Sequence, residues 1–310
     1  MAAERLSVTI LMATYNGGKY LDEQIASIYN QNIDHINILS SDDNSTDDTK
    51  EILYKWKNKW DKGEFEILDG PCNGYVENFK SLWIACDWDT EYFAFSDQDD
   101  IWMPDKLSTA INAVRQFSEA CPVLYCSRTI LVDEVGNVIG FSPKFRRPAS
   151  FRNAIVQNIG GGNTMVLNRA AFELVAESAP RGSFVSHDWW CYILITGVGG
   201  HVLYDPVPRI AYRQHGGNLI GKNTGLRAKM QRIRGLFGGQ FQTWNNRNLA
   251  ALQACADLTT DEAKRIVAEL KDIRAGGLRK RVSAFQRAGL YRQTTMGTLA
   301  LLAAVVLGKM

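Results

Sequence analysis

Residues 7–18 read Ser-Val-Thr-Ile-Leu-Met-Ala-Thr-Tyr-Asn-Gly-Gly. A short apolar run that ends in polar residues predicts a buried strand over Ser7–Thr14. Helical spacing follows over Tyr20–Tyr29. The same cycle then recurs. Ile36–Ser41 reads as a second strand, and Asp43-Asn-Ser-Thr-Asp-Asp opens a helix over Asp47–Trp60 with capping residues and early acids. Phe65–Leu68 and Tyr92–Ser96 read as strands, Val76–Cys86 as a helix, and Pro104 begins a helix to about Phe117. Strand–helix alternation of this kind implies an α/β fold built on a mainly parallel sheet with right-handed crossovers.

Beyond Pro122 the pattern loosens. Val123–Val132 and Val138–Gly140 predict a hairpin across Glu134-Val-Gly-Asn, and Asn163–Asn168 a strand after Gly160-Gly-Gly. Arg169–Glu177 and Asp188–Ile195 read as helices, His201–Tyr204 and Ile210–Gln214 as short strands. From Thr224 onward nearly everything is helical and basic. The division expected is a body over residues 1–222 and a basic helical extension over 223–310.

The charge supports that division. Residues 1–208 carry 17 Lys and Arg against 28 Asp and Glu, a net of −11. The remaining residues carry 18 against 5, a net of +13, so the overall +2 conceals an acidic body and a basic tail. Hydrophobic residues at 45% and charged residues at 22% exclude a disordered or collagen-like chain. The six cysteines form no CxxC and no zinc spacing, and the first residues lack the order of a secretory signal; reduced thiols in a cytoplasm are expected.

Ligands of open α/β sheets bind beyond the carboxyl ends of the strands. Strand one delivers Thr14-Tyr15-Asn16-Gly17-Gly18, strand two Asp42-Asp43-Asn44-Ser45, and the fourth Asp97-Gln98-Asp99-Asp100. Any one of these alone reads as turn acids or helix caps, and Asp100 and Asp105 fit that description. Acids recurring at equivalent strand ends point elsewhere. Gathered carboxylates repel unless a cation sits among them, and Asp97-x-Asp99 suits a hard divalent ion that would neutralise phosphate oxygens.

Taken together, Ala13-Thr-Tyr-Asn-Gly, Asp42-Asp-Asn-Ser-Thr-Asp, Ser96-Asp-Gln-Asp-Asp-Ile-Trp, His187-Asp-Trp-Trp and Tyr212-Arg-Gln-His-Gly-Gly-Asn resemble glycosyltransferase family 2, with the GT-A fold, over residues 5–220. The Asp-Gln-Asp-Asp-Ile-Trp, His-Asp-Trp-Trp and Arg-Gln-His-Gly variants resemble its bacterial rhamnosyltransferase branch. The resemblance implies that Thr14, Tyr15 and Asn16 line a nucleotide pocket, that Asp43 with Asp42 beside it bonds a pyrimidine, and that Asp97 contacts ribose or metal. It implies Asp99 as principal ligand of Mg²⁺ or Mn²⁺, and His215 as a further ligand of metal or diphosphate. Asp188 would be the catalytic base of an inverting transfer, taking the acceptor hydroxyl's proton. The family commonly carries Glu-Asp where this chain has His187-Asp188. Trp189 and Trp190 would offer flat faces to an acceptor sugar, core packing being the competing role. Gly160-Gly-Gly-Asn163 would let backbone approach the donor sugar, or serve as a plain loop.

Other signatures fail. Gly216-Gly-Asn-Leu-Ile-Gly-Lys-Asn223 nearly matches a P-loop, but Asn223 replaces the hydroxyl residue. No G-x-G-x-x-G opens a helix after the first strand, so a dinucleotide fold is not expected, and G-x-S-x-G and H-E-x-x-H are missing. The Q-x-x-R-W signature and membrane spans of processive polysaccharide synthases are missing too, and single-sugar addition is expected. The donor implied is a nucleotide-diphosphate sugar, dTDP-L-rhamnose. The acceptor implied is a saccharide carried on a lipid, for bacterial surface polysaccharide such as O-antigen. Another nucleotide-sugar donor, nucleotide-sugar synthesis, or a non-catalytic membrane scaffold are the alternatives.

In the tail, Leu226, Met230, Ile233 and Phe237 share one face of a basic helix, and Arg274–Arg292 is similarly basic. Such helices lie on anionic membranes or cover a protein surface. Thr295–Leu307 is apolar yet too short to span a bilayer. It tips the expectation toward peripheral contact with the inner face of the cytoplasmic membrane or a homo-oligomer interface; nucleic acid is not expected, since no binding module is recognisable.

Overall fold

Hydrophobic alternation along β1 (Ser7–Thr14) sends Val8, Ile10 and Met12 to one side of a sheet and Leu11 to the other. The computed structural model describes residues 6–216 and 239–310. The elements that follow are α1 (Gly18–Tyr29), β2 (His35–Asp42), α2 (Thr49–Lys59), β3 (Phe65–Asp69), α3 (Tyr75–Ala85), β4 (Tyr92–Ser96), β5 (Ile101–Trp102) and α4 (Lys106–Val114). Then come β6 (Val123–Ser127), β7 (Ile130–Val132), β8 (Val138–Phe141), α5 (Phe151–Ala154), β9 (Val166–Asn168), α6 (Arg169–Ser178), α7 (His187–Gly197), β10 (His201–Asp205) and β11 (Ile210–Arg213). Four helices close the chain: α8 (Gln240–Ala254), α9 (Asp261–Ala275), α10 (Leu278–Ala288) and α11 (Thr295–Val306).

The main sheet has the order β10-β6-β9-β4-β1-β2-β3, and β9 alone runs against the others. Its register decides where the chemistry falls. Thr14 lies beside Asp42, Asp42 beside Asp69, and Met12 beside Ser96. The loops after β1, β2, β3 and β4 therefore leave one edge together. A second sheet, β5-β11-β7-β8, meets the loop after β4, where Arg213 Nε of β11 donates to the Asp99 carbonyl at 3.1 Å.

Two departures from the sequence reading have local causes. The stretch Val123–Val132 is two strands in two sheets, because β6 pairs with β10 while β7 pairs with β8 and β11, and the Arg128 amide between them donates to the Asp205 carbonyl at 2.9 Å. The run Asn163–Asn168 begins as a 3₁₀ turn at Gly162–Thr164, with Thr164 Oγ1 donating to the Gly161 carbonyl at 2.7 Å, before β9 starts.

The helices from Gln240 onward share the core that covers one face of the sheet. Leu249, Leu252, Ile266, Leu270, Phe285 and Leu301 belong to the same buried cluster as Trp190 and Leu194 of α7. The extension is thus built onto the body rather than around a core of its own. The expected boundary at 222/223, the expected amphipathic helix at 226–237 and the P-loop-like residues 217–223 lie outside the described residues. Among the described residues no helix is long and apolar enough to cross a membrane.

Candidate active site

The first two loops are knitted by side chains that sequence reading assigned to ligand binding. Asp42 is buried, and its carboxylate accepts from Thr14 Oγ1 at 2.9 Å, from the Ser45 amide at 2.9 Å and from Ser45 Oγ at 2.5 Å. Asn16 adopts a left-handed backbone with φ 48°; its amide donates to Ser45 Oγ at 2.8 Å and its Oδ1 accepts from the Thr46 amide at 2.8 Å. Thr14, Asn16 and Asp42 therefore spend their polar groups shaping the loops. Asp43 is also buried, accepting from the Cys72 amide at 3.0 Å, and burial raises its carboxyl above the usual range. A Cβ on Gly70 would stand 2.3 Å from Asp43 Oδ1, so that position requires glycine. Tyr15 is the exposed member, at 59%.

Gln98, quoted in the acidic motif but assigned no role there, joins this loop to the acidic one. Its Oε1 accepts from the Tyr15 amide at 2.8 Å and its Nε2 donates to the Tyr15 carbonyl at 2.9 Å, as a neighbouring strand would. The two loops hold a cleft of about 310 Å³ lined by Asn16, Lys19, Tyr20, Gln98, Asp99, Glu134 and His215.

Asp99 Oδ2 and His215 Nε2 are 2.7 Å apart at that cleft. The backbone around them is fixed by Arg213, which the sequence reading quoted in a motif without assigning it a role. It is 3% exposed; its Nε donates to the Asp99 carbonyl at 3.1 Å, its Nη1 to the Glu134 carbonyl at 2.9 Å, and its Nη2 pairs with Glu23. Asp100 is structural, though not as the turn acid or helix cap expected: buried, it accepts from Asn163 Nδ2 at 2.5 Å and the Arg213 amide at 3.3 Å, across long stretches of chain. Asp105 forms an ion pair with Arg209.

Asp97 feels the charge of two other acids. Burial, then the charges of Asp99 and Asp188, push its carboxyl up to about 7. The same field reaches Tyr75 at the start of α3, whose phenol is pushed up to about 12 by burial first and then by Asp188 and Asp97. Asp97, Asp99 and Asp188 thus share one electrostatic neighbourhood. Among the described residues no three His, Cys, Asp or Glu side chains converge as a ready-made metal cage. The set still fits a hard divalent ion, which is commonly held by one or two protein groups with substrate phosphates completing the shell. Concentrated negative charge beside the Asp99–His215 pair is the feature such an ion would relieve.

Asp188 is the second residue of α7, where helix amides favour a carboxylate. Its Oδ1 accepts from the Trp189 amide at 2.7 Å and from Ser186 Oγ. Its Oδ2 accepts from Asn158 Nδ2 at 2.9 Å and keeps a lone pair able to take a proton. The preceding His187 is 5% exposed, stacks on Phe79 at 3.8 Å and has no partner for either ring nitrogen. Burial pushes its imidazole down to about 4, so it is neutral. Gly162 lies against it: a Cβ there would stand 1.9 Å from Nε2. Gly160 is likewise pressed against Cys126, so these glycines serve close packing.

The two tryptophans correct the sequence reading. Trp190 is 0% exposed, stacks on Phe184 at 5.2 Å and donates Nε1–H to Ser178 Oγ at 2.9 Å. Trp189 is buried too, donating to the Ala154 carbonyl at 2.7 Å. Ten of the eleven α7 residues are buried, so neither ring has a free face for a sugar.

These features agree with known proteins. Residues 9–171, a little over half of the 310-residue chain, match the family described as Glycosyl transferase family 2. A dTDP-rhamnosyl transferase RfbG from Shigella flexneri is 29% identical over 237 residues, covering 72% of this chain and 78% of that protein. A UDP-Glc:alpha-D-GlcNAc-diphosphoundecaprenol beta-1,3-glucosyltransferase WfaP from Escherichia coli is 34% identical over 106 residues, 34% of this chain and 40% of that one. Among solved structures, S. aureus TarS 1–349 in complex with UDP-GlcNAc matches with a TM-score of 0.53 at 14% identity, covering 92% of this chain and 93% of that one, a likeness of fold. The sheet, the acidic rim and these matches agree, and the chain belongs to glycosyl transferase family 2, with the GT-A fold.

Proposed function

We propose that the protein is an inverting, metal-dependent glycosyltransferase that moves L-rhamnose from dTDP-L-rhamnose to a saccharide acceptor carried on a lipid, in bacterial surface polysaccharide synthesis. The observation that carries the reading is the Asp99–His215 pair, 2.7 Å apart at a cleft of the carboxyl rim, with Asp97 and Asp188 in the same electrostatic neighbourhood. The donor is supported by the rhamnosyl transferase relative, which spans most of both chains. The acceptor class is supported by the glucosyltransferase relative, whose acceptor is a sugar on diphosphoundecaprenol.

In this mechanism Tyr15 and Asp43 bound the nucleotide end of the cleft. Asp42, Asn16 and Gln98 keep the two loops in register. Asp99 and His215, backed by Asp97, would hold Mg²⁺ or Mn²⁺, which when bound supplies positive charge to the departing diphosphate. Asp188 Oδ2 accepts the proton of the acceptor hydroxyl. The freed oxygen forms a bond to the anomeric carbon from the face opposite the bond to the donor phosphate, which breaks, so the configuration inverts. Asn158 and Ser186 keep the carboxylate aimed. The lipid-carried acceptor puts the work at the inner face of the cytoplasmic membrane.

The deciding measurement is donor hydrolysis across dTDP-, UDP- and GDP-sugars, with and without Mn²⁺. Metal-stimulated turnover of dTDP-L-rhamnose above the others is expected. Preference for another sugar would replace the donor, and no turnover or binding of any nucleotide-sugar would remove the enzymatic reading in favour of a scaffold.

A further inference from the structure

Helix α11 has two apolar faces, and among the described residues only one has a partner. Leu301, Ala304 and Val305 are fully buried against the body. Met296, Leu299, Val306 and Leu307 are 76%, 55%, 40% and 61% exposed, and Ala303 is exposed among them. Positions 296, 299, 303 and 306 recur at helical spacing, so they form one continuous stripe. No charged residue interrupts the helix. Exposed apolar side chains grouped this way mark a contact surface rather than ordinary scatter.

Cations stand at both ends of the stripe. At the start, Arg147 Nη1 donates to Thr298 Oγ1 at 3.2 Å and to the Arg292 carbonyl at 3.0 Å, and the Arg292 side chain lies against Gly297. At the end, the Arg281 guanidinium lies against Gly308, and Lys309 is exposed. From Ile273 to Met310 the chain has seven Lys and Arg and no Asp or Glu.

We propose that this face of α11 docks the protein on an anionic lipid surface, lying in the headgroup plane with Met296, Leu299, Val306 and Leu307 inserted and Arg147, Arg281, Arg292 and Lys309 on the phosphates. Twelve residues rise about 18 Å, short of the roughly 30 Å hydrocarbon core, so the helix lies along the surface. A second copy packed symmetrically on this stripe would bring the same four cations face to face, whereas anionic headgroups meet them with opposite charge. The inference deepens the lipid-carried-acceptor reading and rests on it for its purpose, but the surface is tested without any sugar chemistry.

The test is co-sedimentation of the full chain with vesicles of phosphatidylcholine alone and with phosphatidylglycerol added, alongside dTDP binding on the same preparations. Wild type should bind the anionic vesicles and release in high salt. Leu299→Glu, on an exposed position that leaves the folded core intact, should lower vesicle affinity at least about tenfold. Arg281→Gln with Lys309→Gln should lower it about tenfold on anionic vesicles only. Wild-type binding by Leu299→Glu, or equal binding to neutral vesicles, would overturn the proposal. So would a solution dimer that Leu299→Glu dissociates, which would assign the face to a second copy. Wild type that binds dTDP but no anionic vesicles counts against this surface alone; wild type that binds the vesicles but no dTDP counts against the sugar chemistry alone.

Discussion

Asn158 donates Nδ2–H to Asp188 Oδ2 at 2.9 Å, while its own Oδ1 accepts from the Ile159 amide at 2.9 Å. The backbone bond fixes which end of the carboxamide faces the acid, so Asn158 aims Asp188 and does not compete for its proton. Asn158→Ala should lower kcat by about ten- to a hundredfold with donor KM nearly unchanged, the worth of one hydrogen bond to a charged group. Asn158→Asp sets a second carboxylate against the first, and like charges hold a proton to higher pH. The acid limb of the kcat–pH profile should therefore move upward. An unmoved limb would reduce Asn158 to a packing residue.

Asp188→Asn keeps the shape of the side chain and its bond from the Trp189 amide, but cannot accept a proton. Nucleotide binding by calorimetry should be retained, while transfer falls by about a hundred- to ten-thousandfold. Transfer at the wild-type rate would take Asp188 out of the chemistry.

What could be read from the sequence follows from the kind of signal each residue carries. The strand β1 and the acids at the ends of β2 and β4 were legible because alternation, turn residues and charge are local properties. Asp42 and Asp43 are adjacent in sequence, and only register separates them: Asp42 pairs across to Thr14 and turns into the loop, while Asp43 reaches the Cys72 amide. Arg213 and Gln98 stand in motifs the sequence shows, but their roles could not be read there because they lie in contacts to Asp99 and Tyr15 across 114 and 83 positions of chain. The tryptophans after Asp188 misled for a complementary reason, since an aromatic pair looks the same in sequence whether its faces meet Phe184 or a sugar.

His187 gives a pH signature of stability. Its folded value, about 4, lies below the ordinary 6.5, because burial disfavours the charged ring. An unfolded chain binds this proton between those values and the folded chain does not, so stability rises with pH across that window. The contribution is complete above about 6.5 and is lost as pH falls through about 4, a difference of about 3 kcal/mol. Denaturant titrations at pH 8 and pH 4.5 should show wild type losing more stability than His187→Leu between the two. Equal losses would mean that the ring reaches water in the folded state.

Trp190 separates core from acceptor site. Removing a fully buried tryptophan leaves a cavity, so Trp190→Ala should lower stability by about 3–5 kcal/mol. Trp190→Phe keeps an aromatic plate over Phe184 and loses the bond to Ser178, and it should fold with acceptor KM close to wild type. A large rise in acceptor KM in a well-folded Trp190→Phe would return the ring to the sugar site.

The Asp99–His215 pair should couple metal to nucleotide. With Asp97, Asp99 and Asp188 crowded together, dTDP alone brings further negative charge to an acidic rim, and its affinity should be poor. Mn²⁺ or Mg²⁺ should raise dTDP affinity at least about tenfold, roughly 1.4 kcal/mol of coupling. Asp99→Asn removes one charge and one strong ligand, so it should bind dTDP without metal somewhat better than wild type while losing most of the metal's enhancement. His215→Ala should lose part of the enhancement and leave the metal-free affinity unchanged. Calorimetric titration of dTDP into each variant, with Mn²⁺ and with chelator, separates the two effects. Equal enhancement in wild type and Asp99→Asn would move the cation away from this pair.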